Sequence, residues 1–264
     1  MKKFLVITAI IAAAALLVTG CTRGSGGMTV KKGVLMVGME IGYPPMEYYI
    51  DGRTPAGFDV DMGKAIAEKM GLQIEFVDVA WDGIFSGVET KRYDCIISSV
   101  TITPERLIAH NFSRPYIGNA ISIVTLKNSA IKPRTPQELA GLGISYQAET
   151  TSKFFMAKLV EDGLRYTPFE YDKVISCFDE LELGRVDVIV TDSVVALDYT
   201  TGPDSKFEIT WLGEPDEFFG ICIKKGNNAL TDAINKALDE LFADGTMRRI
   251  SMENLGVDMV SAVR

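Results

Sequence analysis

The feature that most constrains the fold is a regular alternation of apolar runs with amphipathic segments. Residues 33–39 and 94–100 are short apolar runs bounded by turn signals, as buried strands are. Between them, residues 59–70 carry apolar side chains at helical spacing and stop at Gly71, and residues 72–79 alternate as a strand does. Strands and helices in this order predict an α/β fold with parallel pairs in the sheet.

A second unit of the same kind follows the first. Strand-like segments at 120–127, 142–147, 165–170 and 186–192 alternate with helical segments at 151–162, 173–183 and 193–199. The chain continues with a strand at 220–224 and helices at 230–242 and 246–255. Two units of roughly 90 to 130 residues fit the usual size of domains. The sequence therefore predicts two α/β lobes.

The first twenty residues have the composition of an export signal. Two lysines precede the apolar run 4–18, which is shorter than the roughly 20 apolar residues that span a bilayer. Residues 17–21, Leu-Val-Thr-Gly-Cys, resemble the bacterial lipobox, in which cleavage precedes a cysteine that is then acylated. We expect a mature chain that starts at the acylated Cys21 and is anchored to the cell membrane outside the cytoplasm, with 21–32 as a flexible tether. A plain signal peptide is the alternative.

Charge and composition argue against several classes of function. The formal net charge of −8 becomes −10 once the two lysines of the signal are removed, and a chain this acidic is a poor partner for nucleic acid. The single histidine, His110, argues against His-dependent triads and multi-histidine metal sites, so we expect no catalytic centre, metal or cofactor. Its position in a helical segment predicts a surface side chain.

Three cysteines remain after Cys21. An odd number rules out a fully paired disulfide framework in an exported protein. Cys95 and Cys222 lie in apolar runs, which favours small buried side chains over bridges. The sequence leaves open whether any two of Cys95, Cys177 and Cys222 pair.

Arg106 occupies an unusual place for a cation. Thr103 has the properties of a helix cap and Pro104 those of a first helical residue, so Arg106 falls in the first turn, where the helix dipole disfavours it by about 0.3 to 1 kcal/mol. Ser99 and Thr101 precede it at the C-terminal end of a predicted strand, where open α/β sheets bind ligands. Hydroxyls, a helix N-terminus and a guanidinium together favour a carboxylate. The alternative is an ordinary surface arginine.

Asp192 is a candidate for the opposite charge. It ends the predicted strand of the second unit and is as suited to capping the next helix as to contacting a ligand. A carboxylate in that place can receive an ammonium group. An anion site in one unit and a cation site in the other would together hold a zwitterion.

Five weaker candidates surround these two. Each has an ordinary structural alternative: a core aromatic, a solvated turn acid or a helix cap. Tyr43 and Trp81 could form flat walls of a ligand slot, Glu40 directly follows a strand, and Thr150 with Thr151 could cap a helix from about Ser152 and leave free N–H groups.

Taken together, these segments resemble the polar amino-acid-binding class of bacterial extracellular solute-binding proteins (family 3), which serve ABC importers. The resemblance covers about residues 33–255. It rests on VGMEIGYPPMEY with GFDVDMGKAIAEKMG, on WDGIFSGVETKRYDCIISSVTITPERLIAHNFSRPY, on VDVIVTDSVVA and on LFADGTMRRI. It implies the type II periplasmic-binding-protein fold, with lobe one at 33–119 plus 222–264, lobe two at 120–221, and two crossing hinge strands near 118–119 and 219–220.

The resemblance also implies roles for the candidate residues. Arg106 matches the arginine that binds the ligand α-carboxylate, and Ser99 with Thr101 match positions that complete the carboxylate and ammonium contacts. Asp192 matches the aspartate that binds the ammonium. Tyr43 and Trp81 match the walls around the ligand side chain, Glu40 a polar position at the pocket floor, and Thr150 and Thr151 the second-lobe loop. One departure is Glu149, which stands where the family loop usually has glycine.

The function implied is capture of a polar or basic L-amino acid, with arginine favoured because an acid beside aromatic walls favours a cation. Glutamine, histidine and cystine remain open. The expected partners are an ABC importer permease with its ATPase and the membrane, with the protein itself a monomer. The alternatives are a receptor sensor module and a cyclohexadienyl dehydratase-like enzyme, whose expected glutamate is replaced here by Val195.

Overall fold

The computed structural model describes residues 27–263. Its strands are β1 (Val34–Met39), β2 (Tyr48–Tyr49), β3 (Pro55–Ala56), β4 (Gln73–Asp78), β5 (Cys95–Ile96), β6 (His110–Phe112), β7 (Ile117–Asn119), β8 (Ile121–Leu126), β9 (Gly143–Gln147), β10 (Thr167–Tyr171), β11 (Val188–Asp192), β12 (Phe207–Leu212), β13 (Glu217–Phe219) and β14 (Cys222–Lys224). Its α-helices are α1 (Phe58–Lys69), α2 (Ile84–Glu89), α3 (Pro104–Ala109), α4 (Thr151–Glu161), α5 (Val174–Glu182), α6 (Ser193–Thr200), α7 (Asn228–Ala243) and α8 (Thr246–Leu255). Short 3-10 turns lie at Trp81–Gly83, Pro136–Leu139 and Ser261–Val263.

Two mixed five-stranded sheets organise the chain into two lobes. The first lobe has the strand order β4-β1-β5-β14-β6, and the second has β10-β9-β11-β8-β12. The parallel pairs are β1 with β4 and β5 in the first lobe, and β9 with β10 and β11 in the second. The prediction of a two-lobed α/β fold with parallel pairs is therefore confirmed.

A two-stranded antiparallel ribbon, β7 with β13, runs between the two sheets and pairs Asn119 with Glu217. The ribbon is also bonded to the first lobe, because Ile102 N–H donates to the Phe218 carbonyl at 2.8 Å and Gly220 N–H donates to the Val100 carbonyl at 3.0 Å. Strand β13 is thus tied to the segment that carries Thr101.

The helices bury one face against these sheets. In α7 the buried side chains include Leu230, Ile234, Leu238 and Leu241, which recur every three to four residues. Full burial of such a side chain contributes about 1.5 to 3 kcal/mol. Helix α1 begins after Gly57, whose φ is 117° and whose added Cβ would lie 2.4 Å from a main-chain oxygen, so only glycine fits the entry to this helix.

Strand β6 corrects the sequence-based expectation for His110. That residue begins a short strand paired with β14, and it is buried rather than a helical surface residue. Its Nδ1 lies 3.1 Å from the carboxylate of Glu89, and its ring stacks on Phe85. The pairing strand β14 lies more than a hundred residues further along the chain, so local periodicity extended the preceding helix too far.

The cysteines of the described residues are free and buried. Cys222 stands opposite Ile96 in the antiparallel pair of β14 with β5. Because neighbouring residues of a strand point to opposite faces, Cys95 lies on the other side of the sheet from Cys222. These two thiols therefore have no route to a bridge in this fold.

The predicted signal segment and Cys21 lie outside the described residues. Residues 28–31, which the sequence places in the tether, are bonded to the first lobe. Val30 N–H donates to Asp94 at 2.5 Å, and the Asn227 amide donates to the Met28 carbonyl at 3.2 Å. The predicted tether is therefore too long at its C-terminal end. None of the helices in the described part of the chain is both long enough and apolar enough to cross a membrane.

Candidate functional site

A cavity lies between the two lobes, at the C-terminal ends of the parallel strands, and holds about 320 Å³ of space when the solvent at its mouth is included. All nine residues predicted for the ligand site line it: Glu40, Tyr43, Trp81, Ser99, Thr101, Arg106, Thr150, Thr151 and Asp192. Three residues that the sequence analysis did not select complete the lining: Glu47, Ser98 and Gln147. The structure thus brings the predicted set together, and the contacts of each residue with a ligand stay predictions.

Arg106 lines the cavity from the first turn of α3. The Thr103 hydroxyl accepts the Arg106 main-chain N–H at 3.2 Å and Pro104 opens the helix, which confirms the predicted cap. The guanidinium donates to the Thr101 carbonyl at 3.0 Å. Its central carbon lies 5.5 Å from the ring centre of Trp81 and 5.1 Å from that of Phe85. Aromatic rings on two sides hold the cation without neutralising it.

The helix dipole contributes less to this site than the sequence suggested. Helix α3 has only six residues. Pro104 has no N–H, and the N–H of Arg106 is already taken by Thr103. The carboxylate site of the first lobe therefore depends on the guanidinium and the neighbouring hydroxyls, with little help from helix N–H groups.

Ser99 has a strained backbone that a buried carboxylate holds in place. Its φ is +49°, in the left-handed region that non-glycine residues rarely adopt. Its N–H donates to Asp59 Oδ2 at 2.7 Å and its hydroxyl donates to the same oxygen at 3.3 Å. Asp59 also accepts from the Tyr116 hydroxyl at 3.1 Å. The floor of the cavity is thus fixed from below by α1.

Glu47 and Asp59 form a buried acidic pair behind that floor. Glu47 accepts from Ser98 Oγ at 2.7 Å, and Ser98 in turn accepts from the Glu40 main-chain N–H at 3.0 Å. The remaining oxygens, Glu47 Oε2 and Asp59 Oδ1, have no hydrogen-bond partner among the described residues. Burial raises the pKa of both groups, and the neighbouring Asp59 carboxylate raises that of Glu47 further, so one of the two carboxyl groups keeps its proton. The pair therefore carries one negative charge fewer than its two carboxyl groups suggest.

Asp192 ends β11 and is bonded from two directions. The Tyr43 hydroxyl of the first lobe donates to Asp192 Oδ2 at 2.5 Å, and the Asn119 amide of the β7–β13 ribbon donates to Oδ1 at 2.8 Å. Asp192 is 6 % exposed and makes no side-chain capping bond to α6. Burial raises its pKa, which the bonds from Tyr43 and Asn119 oppose. Asp192 thus stands at the N-cap position of α6, but its carboxylate lines the cavity and does not cap the helix.

Glu40 directly follows β1 and faces the second lobe. Its Oε2 accepts from the Gln147 amide at 2.8 Å across the cleft. Burial raises the pKa of Glu40 to about 7, and only Gln147 and the exposed Lys173 act against that rise. This side chain is not the solvated turn acid of the structural alternative, because it is 4 % exposed. It is a buried carboxyl group that lacks a close cation among the described residues.

The second-lobe loop keeps a glycine-like backbone although it carries Glu149. The φ of Glu149 is +59°, and its carbonyl accepts from the Trp81 indole at 3.2 Å across the cleft. Thr150 stands at the cap of α4, but its hydroxyl donates to the Gln147 carbonyl at 2.7 Å and makes no capping bond. Helix α4 starts at Thr151, so its first-turn N–H groups lie at the cavity edge.

Glu149→Gly is expected to increase the free energy of unfolding by up to about 1 kcal/mol. A side chain in the left-handed region costs roughly 1 to 2 kcal/mol, and part of the relief is offset by the larger chain entropy of glycine. The bond from Trp81 persists because its acceptor is the main chain. Denaturant unfolding measures the change. Glu149→Ala is the matched control, since alanine keeps the strain; equal stabilisation by both variants would contradict the argument.

Several functional candidates escaped sequence reasoning. Gln147, Ser98 and Glu47 line the cavity, and Asn119 and Glu217 stand behind Asp192 in the β7–β13 ribbon. The one local signal was position: Gln147 ends the predicted strand 142–147 and Ser98 lies near the C-terminal end of the predicted strand 94–100, much as Asp192 ends one strand and Glu40 follows another. Val195, where the enzyme-like alternative needs an acid, is fully buried in the hydrophobic core.

The charges in the site are unbalanced. Among the described residues that line the cavity, Glu40, Glu47 and Asp192 are acidic and Arg106 alone is basic. After one proton is assigned to the Glu47–Asp59 pair, two carboxylates still face one guanidinium. A molecule with one anionic and two cationic groups would complement this arrangement.

Comparison with known proteins agrees with the fold. The chain is 31% identical to a probable amino-acid ABC transporter-binding protein of Haemophilus influenzae, with 98% of this chain and 99% of the relative covered. It is 28% identical to the L-cystine-binding protein TcyJ of Escherichia coli, with 87% and 85% covered.

Among solved structures, an ancestral arginine-binding protein bound to arginine matches with a TM-score of 0.79 and 35% identity, over 84% of this chain and 98% of the other. The sequence model of the bacterial extracellular solute-binding proteins, family 3, matches residues 35–257. That match covers most of the chain, so this protein belongs to the bacterial extracellular solute-binding proteins, family 3.

Proposed function

We propose that this protein binds a basic L-amino acid, with arginine the first choice, between its two lobes and delivers it to the permease of an ABC importer. The observation that carries the choice of ligand is the excess of buried acid in the cavity. Glu40 and Asp192 are buried carboxyl groups on opposite sides of it, and Arg106 is the lining cation among the described residues. L-Arginine has one carboxylate to pair with Arg106 and two cationic groups to pair with Glu40 and Asp192.

The zwitterion is divided between the lobes in this assignment. Arg106 of the first lobe receives the α-carboxylate, and Asp192 of the second lobe receives the α-ammonium. A ligand favours the closed form only by its greater affinity for that form. A ligand contacts both lobes only when the cleft is closed. Dividing its carboxylate and ammonium between the lobes therefore gives the closed form the higher affinity.

Glu40 and the aromatic walls receive the side chain. The carboxyl group of Glu40 and the ring of Trp81 both line the cavity. A guanidinium stacks on an aromatic ring and donates in a planar fork to a carboxylate. A second carboxylate, as in glutamate or cystine, would meet Glu40 and Glu47 and is disfavoured by repulsion between like charges.

The test is a panel of the twenty L-amino acids with ornithine, citrulline and cystine, measured by thermal unfolding and calorimetry. Arginine near 100 times its dissociation constant is expected to stabilise the protein by about 2.7 kcal/mol. Citrulline, the neutral analogue, should bind about 10- to 100-fold more weakly, because a hydrogen bond to a charged group is worth about 1.5 to 3 kcal/mol. Tightest binding of cystine or glutamate, or of nothing in the panel, would overturn the assignment.

The pH dependence identifies the acid responsible. The free-protein pKa of Glu40 is about 7, and a bound cation lowers it, so arginine binding releases a proton. The preference for arginine over citrulline should therefore rise as pH rises toward 7 and level off above it. Glu40→Gln should remove both the preference and its pH dependence while binding of citrulline persists. Its matched control is Glu75→Gln, an exposed carboxylate on β4.

Other properties follow from the same assignment as proposals. Lobe one comprises 33–119 with 222–264, lobe two comprises 120–221, and the β7–β13 ribbon is the hinge. The protein acts as a monomer without a catalytic reaction, together with the permease and its ATPase. Acylation of Cys21 would hold it at the cell membrane, on the periplasmic side or the outer surface.

A further inference from the structure

The β7–β13 ribbon places two polar side chains, Asn119 and Glu217, beside Asp192, and the proposed function gives neither of them a role. The Asn119 amide nitrogen donates to Asp192 Oδ1 and to Glu217 Oε2, at 2.8 Å in each case. The Asn119 carbonyl oxygen accepts from the Ser193 hydroxyl at 3.1 Å. Asn119 is 2 % exposed. Both N–H groups of its amide donate to carboxyl groups and its oxygen accepts one bond, so the orientation of the amide is fixed.

This cluster joins the two halves of the ligand site. Glu217 and Asn119 are paired residues of the two ribbon strands. Strand β13 is bonded to the Val100–Ile102 segment, which contains Thr101 and leads to Arg106. The segment that carries Thr101 is therefore bonded to the main chain of β13, and the Glu217 side chain of that strand is linked through the Asn119 amide to Asp192 in the second lobe.

We propose that Glu217 is a positioning residue for the ligand ammonium: in its ionised form it fixes the Asn119 amide against Asp192 and adds negative charge at that end of the site. This inference rests on the proposed function and deepens it. Ionised Glu217 strengthens the binding of every α-amino acid, because the α-ammonium is common to all of them. Glu40, in contrast, interacts only with the side chain of the ligand.

The charged groups around Glu217 are few. Asp192 faces it across Asn119, the charge of Arg106 acts on it from α3, and Asp216 directly precedes β13. The polar side chain of Thr151 on α4 acts to lower its pKa. Burial, with Asp192 as the next cause, raises the pKa of Glu217 to about 7. An ammonium placed beside Asp192 favours the ionised form and lowers that pKa. Binding should then release a proton, and affinity should rise with pH until Glu217 is ionised in the free protein as well.

The test uses the Glu40→Gln protein, in which the side-chain carboxyl no longer titrates. Its affinity for arginine, measured by calorimetry, is expected to rise about three- to tenfold between about pH 5.5 and 8. Adding Glu217→Gln keeps an oxygen that accepts from Asn119 but removes the charge, so the affinity should stay at its low-pH value and lose the pH dependence. The matched control is Asp216→Asn, which removes the neighbouring exposed charge and should keep the dependence.

Two results would overturn this inference. One is an unchanged pH dependence after Glu217→Gln; the other is an equal loss after Asp216→Asn, which would indicate a long-range charge effect without positioning. If Glu217→Gln does not fold, the Glu40→Gln protein is titrated with arginine in a calorimeter near pH 7, in two buffers of different ionisation enthalpy. The difference between the two binding enthalpies gives the number of protons released, and a value of zero would also overturn the inference. Failure of the original protein to bind any amino acid at any pH would instead refute the proposed function.

Discussion

Arg106→Ala is expected to weaken arginine binding by about 2 to 5 kcal/mol, so that arginine near 100 times the wild-type dissociation constant stabilises the variant by less than about 1 kcal/mol instead of about 2.7 kcal/mol. The guanidinium is the lining cation of the cavity in the described part of the chain, and it is held by Thr101, Trp81 and Phe85. Without it, the ligand carboxylate would be buried beside acids and without a charged donor. Calorimetry with wild-type and variant proteins measures the loss.

Two controls separate this effect from a general loss of structure. Arg53→Ala removes an exposed arginine from the turn between β2 and β3 and should leave the affinity unchanged. Arg106→Lys keeps the charge but loses the planar fork, so it should restore only part of the affinity. Wild-type affinity in a folded Arg106→Ala protein would show that the carboxylate binds elsewhere.

Asp192→Asn is expected to weaken binding of all α-amino acids by about 2 to 4 kcal/mol, because the ammonium loses its charged partner. The same change should leave the unliganded protein equally stable or more stable. Burial raises the pKa of Asp192, so keeping this carboxyl group ionised costs the folded protein stability at neutral pH, and asparagine removes that cost. An asparagine can still accept from Asn119 and can donate to the Tyr43 hydroxyl.

A variant that binds the ligand more weakly but is as stable as the wild type, or more stable, identifies a residue whose role is in binding and not in folding. Denaturant unfolding and calorimetry on the same protein provide the two numbers. Asp198→Asn on α6 is the matched control, as that aspartate lies outside the cavity lining. A large loss of stability with unchanged affinity would make Asp192 a structural residue and would contradict the zwitterion assignment.

The sequence was sufficient to predict the elements that local chemistry specifies. The cap formed by Thr103 and Pro104, the stop of α1 near Gly71, and the buried runs of β1 and β11 depend on residues a few positions apart. The position of a polar residue at the C-terminal end of such a strand, or directly after it, was enough to select Glu40, Ser99 and Asp192. The edge of a parallel sheet then brings these residues together whatever their separation in the chain.

The parts that the sequence did not predict depend on distant partners. Strand β6 exists because it pairs with β14, and its own three residues show no strand pattern. Asn119 and Glu217 are 98 residues apart, and Gln147 bonds to Glu40 over 107 residues. Amide and carboxyl side chains of this kind are ordinary surface residues by composition. Only the meeting of the ribbon strands and of the two lobes makes them buried polar groups.

The bond between Tyr43 and Asp192 joins the two lobes across the cavity. The Tyr43 hydroxyl donates to Asp192 Oδ2 and the Asn119 amide donates to Oδ1, so two of the roughly four acceptor positions of this carboxylate are taken by the protein itself. In the proposed assignment the ligand ammonium would use the positions that remain, and it would add less to the affinity than it would beside a carboxylate without partners. A lower affinity shortens the residence time of a ligand in the cleft, which would suit a protein that has to release what it captures.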